Sequence, residues 1–163
     1  MFLIRMVGLV SYVKELRKFV GPAPLLICVC GCLIFNEHGQ VLLQRRTDDD
    51  LWGNPGGSME LGETIYETIA REIKEETNLD LDFESLKIFN IYSGEEQHHI
   101  YPNNDEVYFV NIIFETNKYI GELRGDSESS ELKFFDINNL PLNVTKPFES
   151  VMHDLKKKYN VRV

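Results

Sequence analysis

Basic residues are in deficit in this chain. Seventeen Lys and Arg stand against 26 Asp and Glu, a formal charge of −9. That balance gives no sign of non-specific attraction to nucleic acid, which depends largely on Lys and Arg neutralising phosphates. Long hydrophobic runs are missing too. The opening MFLIRMVGLV is too short to span a bilayer and Arg5 interrupts it, so no membrane segment is expected. Nor does it show, in order, the basic, apolar and small-residue regions of a secretory signal. Only three cysteines occur, Cys28, Cys30 and Cys32. Their odd count and alternate spacing argue against a disulfide framework. On a strand all three would share one face, as small buried hydrophobes, with no fourth ligand nearby for tetrahedral zinc. Free thiols imply a reducing, cytoplasmic compartment. Internal repeats, linkers and low-complexity segments are absent.

What remains is an ordinary globular composition, 43% hydrophobic and 26% charged over 163 residues, long enough for one domain with a full core. Tyr12, Val13, Leu16 and Phe19 recur at helical spacing and predict a short helix over 11–20, stopped by Gly21-Pro22. It could pack on its own domain or on a second subunit. Leu25 to Phe35 is a continuous apolar run, the mark of a central buried strand. A turn at Asn36–Gly39 returns the chain as a strand over Val41–Arg46. Strands are expected at Ser85–Ser93, Glu106–Thr116 and Leu132–Phe135, with polar loops at Gly94–Asp105 and Gly125–Ser130. A helix from Pro147 to Tyr159 closes the chain, with Phe148, Val151, Met152 and Leu155 on one face.

The informative stretch runs from Gly57 to Leu79. As a helix from about Thr64, it aligns Ile65, Ile69 and Ile73 in one stripe that must face a core. At about 100° per residue, Glu76 falls inside that stripe and Glu72 at its edge, with Glu75 a little further round. Like charges at i, i+3 and i+4 repel, and carboxylates short of water need a base, a proton or a metal. Arg71 alone cannot neutralise three acids. Mg²⁺ often takes a few carboxylates together with water and substrate phosphates. The competing reading is a solvated charged face with internal pairs such as Glu67 with Arg71.

Gly57, five residues, Glu63, seven residues and then Arg71-Glu72-Ile73-Lys74-Glu75-Glu76-Thr77-Asn78-Leu79 resembles the signature of the Nudix hydrolases. One position departs: Asn78 stands where that family carries glycine. Asparagine is the residue that best tolerates the same left-handed backbone. The resemblance continues through Leu51–Gly56 and Leu132–Phe135 and covers most of the chain. It implies a single Nudix hydrolase domain over 1–163, with 1–21 as an N-terminal extension and helix and 57–79 as the Nudix box. The implied architecture is an α/β Nudix fold, an α/β/α sandwich around a mixed β-sheet.

The resemblance also implies an activity: Mg²⁺-dependent hydrolysis (Mn²⁺ as substitute) of the pyrophosphate linkage in a nucleoside diphosphate joined to a group X. The substrate would be a nucleotide-type small molecule, such as a nucleoside triphosphate, ADP-ribose or another nucleotide sugar, or a dinucleoside polyphosphate. Glu72, Glu75 and Glu76 are assigned to the metal with a backbone oxygen of Gly57. Arg71 orients and balances them, and Glu63 supports Arg71. Glu72, Glu128 and Glu131 are the candidates for general base. Either Arg45 or Arg46 points to the ligand side, since neighbours on a strand alternate faces; phosphate contact and a solvated strand end are both open. Trp52 either packs on the strands or stacks on a base. His98 and His99 receive no role. Pairing of two copies is common in the family. The alternative is a non-catalytic Nudix-like sensor of nucleotide sugars, which would usually have lost box carboxylates, and none is lost here. A calcium-binding or interaction domain ranks last, for want of EF-hand spacing.

Overall fold

The computed structural model describes residues 11–160; the apolar opening stretch over 1–10 lies outside the described residues. Helix α1 covers Tyr12–Val20. Strand β1 covers Leu25–Ile34, β2 Val41–Arg46, β3 Trp52–Gly53 and β4 Gly56–Ser58. Helix α2, Ile65–Thr77, follows. Then come β5 (Asp80–Leu81), β6 (Lys87–Tyr92), β7 (His98–Ile100), β8 (Glu106–Thr116), β9 (Tyr119–Ile120) and β10 (Ser129–Phe135), and helix α3, Lys146–Lys158.

One mixed sheet forms the centre. Strands β1 and β8 lie parallel over ten residue pairs, Leu25 beside Val107 through to Ile34 beside Thr116. Strand β4 joins β1 antiparallel, while β6 and β7 join β8 antiparallel. A second, antiparallel sheet runs β10-β2-β3. Two helices cover opposite faces of the strands. Cys30, Cys32 and Ile34 of β1 pack with Ile112, Phe114 and the α2 residues Ile69 and Ile73. Leu33 and Phe35, of opposite parity, pack with Ile113 and with Phe148, Val151 and Leu155 of α3. This is the α/β/α sandwich on a mixed sheet, and burial on both faces explains why β1 reads as a continuous apolar run. The cysteines are free thiols facing α2.

Helix α2 forms where its sequence places it. Thr64 caps it, its hydroxyl accepting from the Glu67 N–H while the Glu67 carboxylate accepts from the Thr64 N–H, a reciprocal capping box. Glu67 is thereby used at the cap, and the pairing with Arg71 considered above does not form. At the other end Asn78 adopts φ 63°, the left-handed cap its identity suggested. Burying Ile69 and Ile73 completely stabilises this docking by about 1.5–3 kcal/mol each.

Helix α1 packs Val13 against Ile27, Val107 and Phe109 at one end of the central sheet. The expected stripe is only partly covered there, for Phe19 is 86% exposed. The segment expected as the loop Gly94–Asp105 contains β7, and β10 begins three residues before its expected start. No helix among the described residues is long and apolar enough to cross a membrane.

Candidate active site

An open cleft of about 960 Å³ runs between the C-terminal half of α2, α1 and the loops around Tyr101 and Glu128. Glu72, Glu75 and Glu76 all line it, with Gly57 and Arg71. They differ sharply in surroundings. Glu76 is 5% exposed. Its carboxylate accepts from Gln44 Nε2 at 3.2 Å and from the Gly56 N–H at 2.7 Å. Burial pushes its pKa up to about 8 against those two hydrogen bonds, with Glu72 and Asp126 adding repulsion. Glu72 is also raised, chiefly by burial, with Arg71 opposing. Glu75 is mostly exposed at the rim.

Arg71 is the hub. Its guanidinium donates to Glu63 at 2.6 and 2.9 Å, to Glu72 at 2.7 Å, to Glu75 at 3.3 Å and to the Ser58 carbonyl at 3.0 Å. The hydrogen bond from Arg71 brings the Glu63 carboxyl down to about 2, and the Glu60 N–H and Thr68 hydroxyl also donate to it. Arg71 is correspondingly held more firmly in its charged form. Glu63 therefore fixes Arg71, and Arg71 fixes the orientation of Glu72.

Gly57 lies directly against this group. A Cβ at Gly57 would meet Glu72 Cδ at 2.5 Å and both its oxygens at 2.6 Å. Only glycine allows the carboxylate to sit against the backbone here. Of the two arginines, Arg46 lines the cleft, bound to Asp48 through two hydrogen bonds and lying 5.9 Å from the Tyr101 ring centre. Arg45 turns aside to Asp50 at 2.6 Å. Glu128 lines the cleft and repels Glu72. Glu131 is exposed on β10 and is not brought into the group. Trp52 is buried edge-on to Phe135, 4.8 Å between ring centres, and packs in the core.

Among the described residues, no three His, Cys, Asp or Glu side chains converge into a ready metal cage. The donor chemistry nonetheless fits a hard divalent cation. Burial pushes Glu76, and the partly buried Glu72, toward protonation beside a backbone stripped of side chain, and Glu75 and Glu128 stand exposed within the same cleft. That set suits an ion that keeps several waters.

Sequence reading missed several residues of the cleft and of the recess beside it. Gln44 anchors Glu76 from a strand 32 positions away, and no local pattern marks such a pair. Asp126 and Asp48 supply further negative charge. His99 and Tyr101 line a narrower recess adjoining the cleft. His98 instead meets Glu106 at 2.9 Å.

The sequence profile of the NUDIX domain matches residues 27–155. An ADP-ribose pyrophosphatase of Methanocaldococcus jannaschii is 35% identical over 132 residues, spanning 78% of this chain and 70% of that one. A putative 8-oxo-dGTP diphosphatase of Bacillus subtilis is 30% identical over 125 residues, spanning 76% of each. Among solved structures, a MutT NUDIX hydrolase from Burkholderia pseudomallei superposes with a TM-score of 0.66 at 24% identity, covering 78% of this chain and 96% of that one.

Proposed function

Because this chain belongs to the NUDIX family and is a Nudix hydrolase, we propose that its acidic cleft hydrolyses the pyrophosphate linkage of a nucleoside diphosphate joined to a second group, with Mg²⁺ or Mn²⁺ bound. One observation carries the reading: Glu76, a carboxylate buried to 5% exposure, lines the open cleft with no cationic partner within hydrogen-bonding reach among the described residues. Burying a lone carboxylate costs several kcal/mol unless something neutralises it. Glu72, Glu75, Glu76 and a backbone oxygen at Gly57 would hold the cation. When bound, it would neutralise phosphate charge and lower the pKa of water.

The chain's own residues do the rest. Arg71, gripped by Glu63, keeps Glu72 turned to the cleft. Arg46 offers its guanidinium edge to a phosphate oxygen in exchange for Asp48. Water attacks one phosphorus, the bridging P–O bond breaks, and the departing phosphate takes the electron pair. A carboxylate must accept the proton lost by water. Glu128, with no hydrogen bond or ion pair at its carboxylate among the described residues, is better placed for this than Glu72, whose oxygen is tied to Arg71. The substrate is a small nucleotide, and a nucleoside diphosphate sugar comes first, since the relative from M. jannaschii carries an ADP-ribose pyrophosphatase name. Free thiols fit a reducing compartment such as the cytoplasm.

The test is a screen of ADP-ribose, other nucleotide sugars, nucleoside triphosphates and dinucleoside polyphosphates, read by phosphate release after phosphatase treatment. Turnover of at least one with Mg²⁺ and none in chelator is expected. Cation-independent cleavage, or binding of a nucleotide sugar without any cleavage, defeats the proposal; the second outcome favours a sensor.

Gly57→Ala carries a separate expectation. The added methyl must expel the Glu72 carboxylate, so apparent Mg²⁺ affinity in the turnover assay falls by about 10–100-fold. The circular dichroism spectrum stays that of the parent. Unchanged metal dependence would remove Gly57 and Glu72 from the site.

A further inference from the structure

The recess adjoining the cleft, about 110 Å³ in volume, shares Gly57, Arg46, Tyr101 and Phe109 with it. Aromatic rings form part of its wall. His99 stands edge-on to Tyr101 with ring centres 4.6 Å apart, and near-parallel to Phe109 at 6.5 Å. Such rings suit the face of a nucleobase.

The polar part of this wall has a fixed direction. Gln97 is fully buried and Asn111 is 7% exposed. Gln97 Nε2 donates to the Pro147 carbonyl at 3.2 Å, and Asn111 Nδ2 donates to Gln97 Oε1 at 3.1 Å. A backbone carbonyl can only accept, so Gln97 must present its nitrogen to Pro147 and its oxygen to Asn111. Asn111 must then turn its nitrogen to Gln97. Its Oδ1 accepts no hydrogen bond from any described residue, and Asn111 lines the recess. Rotating either amide would set two donors or two acceptors against each other. The recess thus offers a rigid hydrogen-bond acceptor, anchored at the start of α3.

Resting on the nucleotide reading above, we propose that Asn111 is a specificity-determining residue: its Oδ1 accepts a hydrogen bond from the exocyclic amino group of the substrate's nucleobase, adenine above all. Gln97 is its positioning residue. A base without that donor leaves a buried acceptor unsatisfied, the situation in which binding sites discriminate most strongly.

Calorimetric titration of the Mg²⁺-loaded protein with AMP and with purine riboside 5′-monophosphate, which differs only in lacking the amino group, tests this. AMP is expected to bind about tenfold tighter or more. In Asn111→Ala the two should bind within about threefold of each other, chiefly through loss of AMP affinity. Equal affinities in the parent protein overturn the proposal without any variant being needed. A preference that survives Asn111→Ala overturns it as well, by assigning the reading to another group. If neither compound binds while a nucleotide is still hydrolysed in the screen, the recess is not the base site and the proposed activity stands. If both bind with the expected preference and nothing is hydrolysed, the activity fails and Asn111 keeps its role.

Discussion

Glu76→Gln is expected to silence hydrolysis while leaving the protein folded and, at alkaline pH in chelator, more stable than its parent. The loss of activity should exceed the roughly 10–100-fold typical of disturbing an outer partner of a metal site, because the charge that draws the cation inward is gone. The fold tolerates the change because the surrounding network can reverse. Gln44 can rotate its amide so that its oxygen accepts from the new side-chain nitrogen. Ser129, whose hydroxyl now donates to Gln44 Oε1 at 3.1 Å, can accept instead and turn its proton toward Asp126 Oδ1, 3.4 Å away.

The pH dependence follows from the same residue. Folding raises the Glu76 pKa from 4.5 to about 8, so the folded chain holds a proton that the unfolded chain releases. Its contribution to stability is therefore complete below 4.5 and is lost as pH climbs through about 8. The fall amounts to a few kcal/mol, since one pKa unit is about 1.4 kcal/mol. Denaturant titrations in chelator between pH 5 and 9 should show the parent weakening while Glu76→Gln stays level by comparison. Saturating Mg²⁺ should flatten the parent's slope. Parallel slopes in chelator would mean that Glu76 is already charged and partnered, and the cation site would lose its main support.

Arg71→Met should be the most damaging substitution for stability. Arg71 meets Glu63, Glu72, Glu75 and the Ser58 carbonyl at once, and its removal strands two carboxylates that are 18% and 14% exposed. Breaking a buried pair from one side costs about 3–5 kcal/mol, and partial exposure argues for the lower end. About 3 kcal/mol lowers the melting temperature of a chain this size by roughly 6–12 °C. Acid sensitivity should change too. The Glu63 pKa is depressed to about 2, so its stabilisation is present above the ordinary 4.5 and disappears as pH falls through about 2. Without Arg71 that acid-side loss should vanish. Arg71→Lys should recover only part of the melting temperature, because an ammonium cannot reach several carboxylates in one plane. A melting curve unmoved by Arg71→Met would show the hub to be a solvated surface cluster.

How much could be read from the letters alone depended on whether a feature was local. The stripe of Ile65, Ile69 and Ile73 with Glu76 inside it is a helical pattern, and the buried acid stands where that pattern put it. Asn78 reads correctly because cap chemistry is decided by one residue. Strands β3, β5 and β9 are two residues long, too short for periodicity to show, and are fixed by partners distant in sequence. Glu67 satisfies the i, i+4 rule with Arg71 yet is taken by Thr64, because the cap geometry competes for it. Gln44, Asp126 and the Pro147–Gln97–Asn111 chain depend on segments distant in sequence meeting, which spacing cannot reveal. Glu131 had the right chemistry, but its place on β10 keeps it outside the cleft.

The parallel pairing of β1 with β8 has a kinetic consequence. Each residue of β1 finds its neighbour half the chain away, with α2 and six strands, β2 to β7, in the intervening stretch. Closing so long a loop is entropically slow, and mixed α/β topologies rich in such distant pairings fold later than helical ones. During synthesis, helix α2 can emerge and cap itself well before β8 exists to seat it. Until then its greasy stripe lies open beside an exposed β1. Refolding should therefore be slow relative to helix formation, and most prone to aggregate in the interval before that seam closes.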